Sequence, residues 1–192
     1  MKALTLHHPW AFAIRHLGKD IENRDWTPEV CKLNGLDKLL GETIAIHGGR
    51  PPKFGNNREW FALEDQVDGL IWDIAGTDEQ IWSRFQAWTD GLGRRPQFAD
   101  FVMPGVVVIA TLTHAGRGSR SSWAVPGALH LMLSDVLPLA EPVQCRGAQG
   151  FWDLTDKDEA AVMEQVRLAE HARSRQVIQG EKRSLHEVWG TA

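Results

Sequence analysis

Residues Val106–Thr113 read VVVIATLT, and no other stretch limits the fold of this chain as strongly. Most of these residues are β-branched and none is charged, which is typical of a strand that is covered on both faces. A strand of this kind lies inside a sheet, with further layers packed against it. The sequence therefore predicts a sheet in which Val106–Thr113 is the central strand.

Shorter patterns predict the other strands. The candidates are Lys2–Leu6, Glu42–His47, Ala128–Val136 and a glycine-broken pair within Val143–Leu154. The first three alternate apolar and polar residues, which is the pattern of a half-buried strand. Pro138–Pro142 is expected to be a connection, because proline interrupts strand pairing. Bulges at Gly147 and Gly150 would close the sheet into a small barrel.

Helical periodicity is confined to three parts of the chain. Apolar side chains at positions 10, 13, 14 and 17 predict a short helix that ends at Gly18. Residues 56–90 predict two helices, and a capping-box start at Asp156 predicts a last helix through about Arg173. Residues 29–41 are expected to be loop and 174–192 to be largely frayed. The fold class is therefore α+β, with a small mixed or antiparallel β-barrel flanked by helices.

The length of 192 residues is most simply one domain with an insertion. We expect a barrel domain over 1–155, an acidic helical insertion at 54–103 within it, and a C-terminal helix and tail at 156–192. No run approaches the ~20 apolar residues of a membrane span, so we expect no membrane association and a cytoplasmic location. Cys31 and Cys145 are too few for a disulfide framework and are expected to be reduced. Scattered histidines predict neither a metal site nor a cofactor.

Charge is distributed unevenly along the chain. The segment from Glu59 to Asp90 contains eight acidic residues and one arginine, and so carries −7, whereas the whole chain carries −4. The remainder is therefore +3, and Phe101–Ser134 contains no acidic residue at all. One part of the surface can be locally positive despite the acidic total. Ordinary variation in loop charge would explain the same numbers.

The most concentrated chemistry lies in Gly18–Arg24, which reads GKDIENR. In an extended segment, Glu22 and Arg24 share a face, and a turn near Asp20 would bring Lys19 onto that face too. A carboxylate between two cations can hold a phosphate or a polar base edge, or poise a proton transfer. A surface ion pair at the start of a strand is the simpler alternative.

Three further features are candidates for binding. The chain has nine tryptophans and no tyrosine, and tryptophan serves both core packing and base stacking. His47 stands at a strand end beside two glycines, where it could face a cleft or simply hold backbone. The loop His114–Ser122 carries Arg117 and Arg120 and ends at Trp123, a composition that suits phosphate contact as well as it suits a solvated linker.

Several of these stretches together resemble the activating-signal-cointegrator homology (ASCH) domain, a branch of the PUA-like β-barrels. The similar segments are LTLHHPWA at Leu4–Ala11, GKDIENRDW at Gly18–Trp26, IAIHGG at Ile44–Gly49, Gly105–Thr113, WAVPGALHLML at Trp123–Leu133 and CRGAQGFWDL at Cys145–Leu154. They follow the family's order and cover roughly half of the chain. The GxKxxExR pattern, matched at Gly18, Lys19, Glu22 and Arg24, is the specific signal.

The resemblance implies a cleft between the first helix and a PUA-like barrel, with this pattern on its floor. Relatives bind RNA or grip an extruded modified base, which needs an apolar wall, polar edge contacts and cations for phosphates. The implied wall residues are Trp10, Trp26 and Trp152; the edge residues are Lys19, Glu22, Arg24 and His47; the cations are Arg117, Arg120 and Arg146.

Two positions depart from the family. His8 replaces a usual glutamine, and Glu22 stands where amidohydrolase members acting on an acetylated cytidine carry threonine. Their later catalytic glutamate has no identifiable counterpart here, so only Lys19 carries over as a catalytic candidate.

Three functions remain open at this point. The first is a module that binds RNA, another nucleic acid or a modified nucleobase. The second is an enzyme, either an amidohydrolase on a modified nucleoside or a metal-independent single-stranded RNase, in which Lys19 acts as base or activates water beside Glu22. The third is a protein-interaction domain that uses the acidic segment 56–90.

Overall fold

The computed structural model describes residues 1–53 and 55–189, with side chains described through residue 175. The strands are β1 (Lys2–Leu6), β2 (Ile21–Arg24), β3 (Thr43–Gly48), β4 (Gly105–Gly116), β5 (Leu129–Val143) and β6 (Phe151–Asp153). The helices are α1 (Trp10–Phe12), α2 (Pro28–Leu33), α3 (Asn57–Gly69), α4 (Glu79–Leu92) and α5 (Asp156–Trp189). A π-helical turn, Ala13–Leu17, continues α1, and another, Leu70–Ile74, continues α3.

The six strands form one mixed sheet in the order β2-β5-β4-β3-β1-β6, curled into a half-barrel. Only β1 and β3 pair in parallel; the remaining pairs are antiparallel. The predicted central strand is confirmed, since β4 lies between β5 and β3 and its residues Val106–Val108 are fully buried. The sheet ends at β2 and β6, so it is a half-barrel that is not closed. The glycine-broken strand pair predicted within Val143–Leu154, with bulges at Gly147 and Gly150, is not formed. Residues 144–150 form a loop, and β6 has three residues.

The expectation that Pro138–Pro142 is a connection between strands is also wrong. Pro138 and Pro142 lie within this one strand of 15 residues instead of ending it. The pairing of β4 with β5 shifts register at several points, so the prolines occupy an irregular ladder in which a missing N–H is tolerated. The guanidinium of Arg15 donates to the carbonyls of Val107, at 2.6 Å, and Leu139, at 2.8 Å. It thereby joins the π-helical turn after α1 to this irregular part of the sheet.

Helix α2 lies where the sequence was expected to be loop. Thr27 precedes it, and its hydroxyl accepts a hydrogen bond from the Val30 amide at 3.4 Å, while Pro28 occupies the first helical position. These are ordinary helix-start signals. The helix was overlooked because it is only six residues long and buries none of them.

Two helices, α3 and α4, occur in the segment predicted to be a helical insertion. Their apolar residues Leu63, Val67, Ile81 and Phe85 pack against Phe12 of α1 and Leu17 of the π-helical turn that continues it. The insertion therefore shares a core with the helical segment that leads to Lys19. Helix α5 packs on β5 through Val162 and Val166 and continues to Trp189, past the expected end near Arg173. Residues 190–192 of the predicted tail lie outside the described residues. None of the helices in the described residues is both long and apolar enough to cross a membrane.

Candidate functional site

The turn before Lys19 is set by backbone geometry. The π-helical turn ends at Gly18, whose φ of 75° is the left-handed conformation predicted for it. The amides of Gly18 and Lys19 both donate to the carbonyl of Ala13. A β-carbon at residue 18 would also stand 2.6 Å from the Arg84 guanidinium. The positive φ is what favours glycine here, since the flexible Arg84 side chain could move away. Gly18 directly precedes Lys19, whereas GxKxxExR has one residue between glycine and lysine, so this chain matches only the KxxExR part of the pattern.

Lys19 is a buried cation, with 2% of its surface exposed. Its ammonium donates to the carbonyl of Ile21 and lies 3.6 Å from Glu22 Oε2. Two indole rings flank it, with the Nζ atom 5.7 Å from the ring centroid of Trp10 and 5.9 Å from that of Trp123. Burial lowers the pKa of Lys19 below its usual range, and the Glu22 carboxylate offsets part of that effect.

Glu22 lies between two cations, as the sequence predicted. Its second oxygen is 3.3 Å from Arg24 Nε, but that N–H is not aligned on the oxygen, so the contact is an ion pair without a hydrogen bond. Arg24 also donates to the carbonyl of Thr5 at 3.0 Å, and its guanidinium carbon lies 5.5 Å from the ring centroid of Trp26. We call Lys19, Glu22, Arg24, Trp10 and Trp123 the Lys19 cluster.

A second set of side chains, those of Thr5, His47 and Trp152, lies next to the Lys19 cluster, and Thr5 of β1 joins the two. The hydroxyl of Thr5 accepts a hydrogen bond from Trp152 Nε1 at 3.0 Å, and the Trp152 ring packs edge-on against His47, with centroids 5.6 Å apart. His47 is 3% exposed and donates through Nε2 to the carbonyl of Cys145 at 3.2 Å. Because a carbonyl only accepts, the proton is on Nε2 and Nδ1 is an acceptor, for which no partner occurs among the described residues. Burial lowers the pKa of His47, which favours this neutral form.

Two adjoining cavities open at the carboxyl ends of the parallel strands β1 and β3. Their volumes are about 790 and 440 Å³. They share the lining residues Thr5, His7, Ala148 and Gln149, and we call them together the strand-end groove. The larger cavity is lined by His47 and Arg146, and the smaller by Arg24 and Trp26. Thus the buried Lys19 cluster reaches the groove through Arg24.

The basic loop is held elsewhere. Arg117 donates to the carbonyl of Gly127, and Arg120 lines a separate cavity of about 260 Å³ beside Gly18. Asn23 holds the loop down, since its side chain donates to the Trp123 carbonyl at 2.8 Å and accepts from the Val125 amide at 3.0 Å. The loop therefore contributes Trp123 to the Lys19 cluster, whereas its two arginines lie outside the strand-end groove.

Sequence reasoning did not identify Thr5 and Asn23, and it did not predict the role of His8. Thr5 links the Lys19 cluster to His47, but nothing in the sequence of one strand shows what lies opposite it. Asn23 lies between Glu22 and Arg24, and its role was not predicted. Its position on the opposite face of the strand could have indicated a contact with a loop. His8, which departs from the family, is a structural link: Nε2 donates to the Gly49 carbonyl at 3.0 Å and Nδ1 accepts from the Met103 amide at 3.3 Å.

Comparisons with known proteins give no assignment. No protein-family model matches this chain, and no curated protein is significantly similar to it. Within the residues that the structure describes, no three His, Cys, Asp or Glu side chains converge on a point that could hold a metal ion.

Proposed function

We propose that this chain is an ASCH-type domain of the PUA-like class that binds single-stranded nucleic acid, RNA in the first instance, by taking a base into the strand-end groove. The observation that carries the proposal is the pair formed by the Thr5 hydroxyl and His47 Nδ1. Thr5 Oγ1 accepts from Trp152, which leaves its own hydrogen to donate, and His47 Nδ1 is an acceptor without a hydrogen-bond partner among the described residues. Nδ1 has essentially no accessible surface, because the Gly147 backbone packs against the ring, so the loop that carries Gly147 has to shift before a base can reach this pair.

The two atoms lie close enough to read one edge of a ligand. A β-carbon at residue 147 would stand 2.7 Å from Thr5 Oγ1 and 2.8 Å from His47 Nδ1, so the two atoms are neighbours, and only a glycine can pack this closely against both. A donor beside an acceptor complements the Watson–Crick edge of a nucleobase, on which an acceptor also lies beside a donor. The ring of Trp26 lines the smaller cavity and supplies apolar surface for the flat face of a base, whereas Trp152 packs against His47 and does not line the groove.

The charge of the groove suits a phosphate backbone. Its one lining carboxylate among the described residues, Glu59, is neutralised by Arg50 through two contacts of 2.8 Å. Arg146 is exposed at the rim, and no described carboxylate lies within 4.0 Å of it. Arg146 is therefore a free cation beside the proposed base site, and it takes over the phosphate role that the sequence had shared among three arginines.

The proposal is tested by titrating a labelled single-stranded RNA of about ten nucleotides and following fluorescence anisotropy at several salt concentrations. Arg146→Ala should weaken binding and lower the slope of log K against log salt by about 0.7, the value for one phosphate contact on a single strand. Arg167→Ala, on α5 and paired with Glu164, removes the same charge away from the groove and should change neither. A strand of the same length without bases should bind more weakly than the RNA.

Two outcomes would overturn the proposal. Either the RNA does not bind even at low salt, or Arg146→Ala and Arg167→Ala have equal effects. The strand without bases separates base recognition from simple attraction between charges.

A hydrolase is the second candidate, and the burial of Lys19 is the observation that favours it. A lysine whose pKa is lowered by burial, beside a carboxylate, has the character of a general base. Against this, Nζ is enclosed between Trp10 and Trp123, so the loop that carries Trp123 would have to move before a substrate could reach it.

The hydrolase candidate has its own test. An RNA containing one N4-acetylcytidine is incubated with the wild type and with Lys19→Met, and its mass is measured. Loss of the acetyl group or strand cleavage that depends on Lys19 would establish an enzyme. An RNA left unchanged by the wild type would exclude both reactions for this substrate and leave the binding proposal intact.

A further inference from the structure

Two large aromatic side chains of the insertion lie in solvent. Phe61 on α3 is 65% exposed, and Trp72 in the π-helical turn that continues α3 is 67% exposed. Each stands two positions from a core residue, Phe61 before Leu63 and Trp72 after Leu70, so each points away from the core. Covering two large aromatic rings with an apolar partner would be favourable, so a face that presents both is a candidate binding surface.

The spacing of these two residues makes them one face. They are eleven positions apart, which is close to three helical turns and about 16 Å along the helix axis. Asp65 and Asp68 lie between them at spacings of four and seven from Phe61, and both are exposed. We call Phe61, Asp65, Asp68 and Trp72 the acidic aromatic face.

We propose that the acidic aromatic face binds a basic amphipathic helix of a partner protein. Charge complementarity selects this occupant. The segment Glu59–Asp90 carries −7, which repels a nucleic acid and an anionic membrane alike, and which also repels the same face of a second copy. A helix with apolar residues along one side and lysine or arginine beside them would cover both aromatic rings and pair with both carboxylates.

This surface is distinct from the proposed nucleic-acid site. Ala62 and Gln66 of α3 line the strand-end groove, whereas Phe61 and Trp72 are not among the lining residues. One helix can therefore serve both sites with different side chains, and the second proposal stands or falls independently of the first.

The test uses the full chain and a labelled peptide of about 18 residues, built from leucine and lysine so that the leucines lie on one side of a helix. Fluorescence anisotropy should show saturable binding to the wild type. Phe61→Ser/Trp72→Ser and Asp65→Asn/Asp68→Asn should each weaken binding at least about tenfold. Leu33→Ser removes an apolar residue that is 86% exposed on α2 and should bind like the wild type.

Further controls test whether binding depends on the charge of the peptide and on the acids of this face. A peptide with glutamate in place of lysine should not bind, and Glu141→Gln/Glu170→Gln, which removes two exposed acids elsewhere, should leave binding of the basic peptide unchanged. Circular dichroism should show that the Phe61→Ser/Trp72→Ser variant melts like the wild type, because both residues are exposed.

The proposal is overturned if the basic peptide does not bind, or if it binds the wild type and the Phe61→Ser/Trp72→Ser variant equally. It is also overturned if sedimentation shows a dimer of the wild type that this variant abolishes, since the occupant would then be a second copy. Loss of single-stranded RNA binding in the Phe61→Ser/Trp72→Ser variant would likewise overturn it, because the face would then belong to nucleic acid.

Discussion

Lys19 and Glu22 are ionised groups held away from water, and each depends on the other. Removal of one member of a buried ion pair leaves an uncompensated charge, whereas removal of both is often tolerated. Glu22 retains Arg24 when Lys19 is lost, so the penalty falls short of that of an isolated charge. The cluster therefore makes a testable contribution to stability whether or not it takes part in catalysis.

For Lys19→Met, we expect the free energy of unfolding to fall by about 2–4 kcal/mol, and Glu22→Gln in the same chain to restore part of the loss. Chemical denaturation of the wild type, both single variants and the double variant measures this coupling. Lys2→Met is the control, because Lys2 pairs with Asp153 on the surface at 2.8 Å and should cost at most about 1 kcal/mol. Strictly additive losses at Lys19 and Glu22 would show that the pair is not coupled.

His16 is half-buried, with its Nε2 atom fully covered, and it gives the protein a pH-dependent stability. Burial, aided by neighbouring Arg15, lowers the pKa of His16 to about 4. The unfolded chain therefore binds a proton between about pH 6.5 and pH 4 that the folded chain does not, so stability is complete above pH 6.5 and falls as the pH drops through this range. His8 and His47, whose pKa values burial also lowers, act in the same direction.

We expect His16→Phe to flatten this dependence by up to about 1.4 kcal/mol per pH unit, the effect of one proton. The phenyl ring keeps the packing against Phe12 and Trp88 and removes the buried Nε2, which lacks a partner among the described residues. Unfolding free energies between pH 4 and pH 7 provide the measurement. An unchanged slope would place the titration on other groups.

At the scale of elements, the site depends on where the ends of β1 and β3 lie. Gly48 ends β3, and a β-carbon there would overlap the carbonyl oxygen of Met103, which the backbone cannot easily move away. Gly91 in α4 is the opposite case, since a β-carbon there would meet nothing within 4 Å. The two glycines therefore predict opposite responses to alanine.

Gly48→Ala should lower the free energy of unfolding by about 3 kcal/mol or more, because backbone must shift. Gly91→Ala should raise it by about 0.5–1 kcal/mol, since alanine favours the helix and restricts the unfolded chain. Thermal melts of the two variants decide the matter. A stable Gly48→Ala variant would mean that β3 and the segment around Met103 do not pack this closely.

Periodicity identified the elements that carry strong local patterns. β4 is an apolar run, β1 alternates apolar and polar residues, and α3 and α4 have clear apolar faces, so local residues alone predict them. The full course of β5 was missed because tolerance of Pro138 and Pro142 depends on the shifted pairing with β4, which no local pattern contains. The predicted closure of the barrel was wrong for the same reason. Pairing of residues 144–150 depends on where the other strands lie, and the local sequence does not contain that information.

The candidate site was likewise predicted only where its residues lie close together in the sequence. Lys19, Glu22 and Arg24 were grouped correctly because strand alternation acts within one segment. Thr5, His47 and Trp152 come from three strands or strand ends, with Thr5 opposite His47 in the parallel register and Trp152 opposite Ala3 in the antiparallel one. That register is a tertiary property, and so their meeting could not be read from spacing.

At the scale of the whole molecule, charge separates two surfaces. The strand-end groove has the free cation Arg146 and a neutralised Glu59, whereas the insertion concentrates the chain's excess of acid around Phe61 and Trp72. Helix α3 contributes to both, with Ala62 and Gln66 on the groove and Phe61 on the outer face. The two proposed ligands, a nucleic acid in the groove and a basic helix on the acidic aromatic face, would therefore not compete for the same charges.

The most direct measurement of the central claim is the nitrogen resonance of His47 Nδ1, followed by NMR during titration with single-stranded RNA. We predict that this resonance moves as a base donates to Nδ1, and that an equal strand without bases does not move it. Thr5→Val should weaken the response, since it removes the neighbouring donor. RNA that binds without changing the Nδ1 resonance, or that does not bind at all, would contradict the account of the strand-end groove.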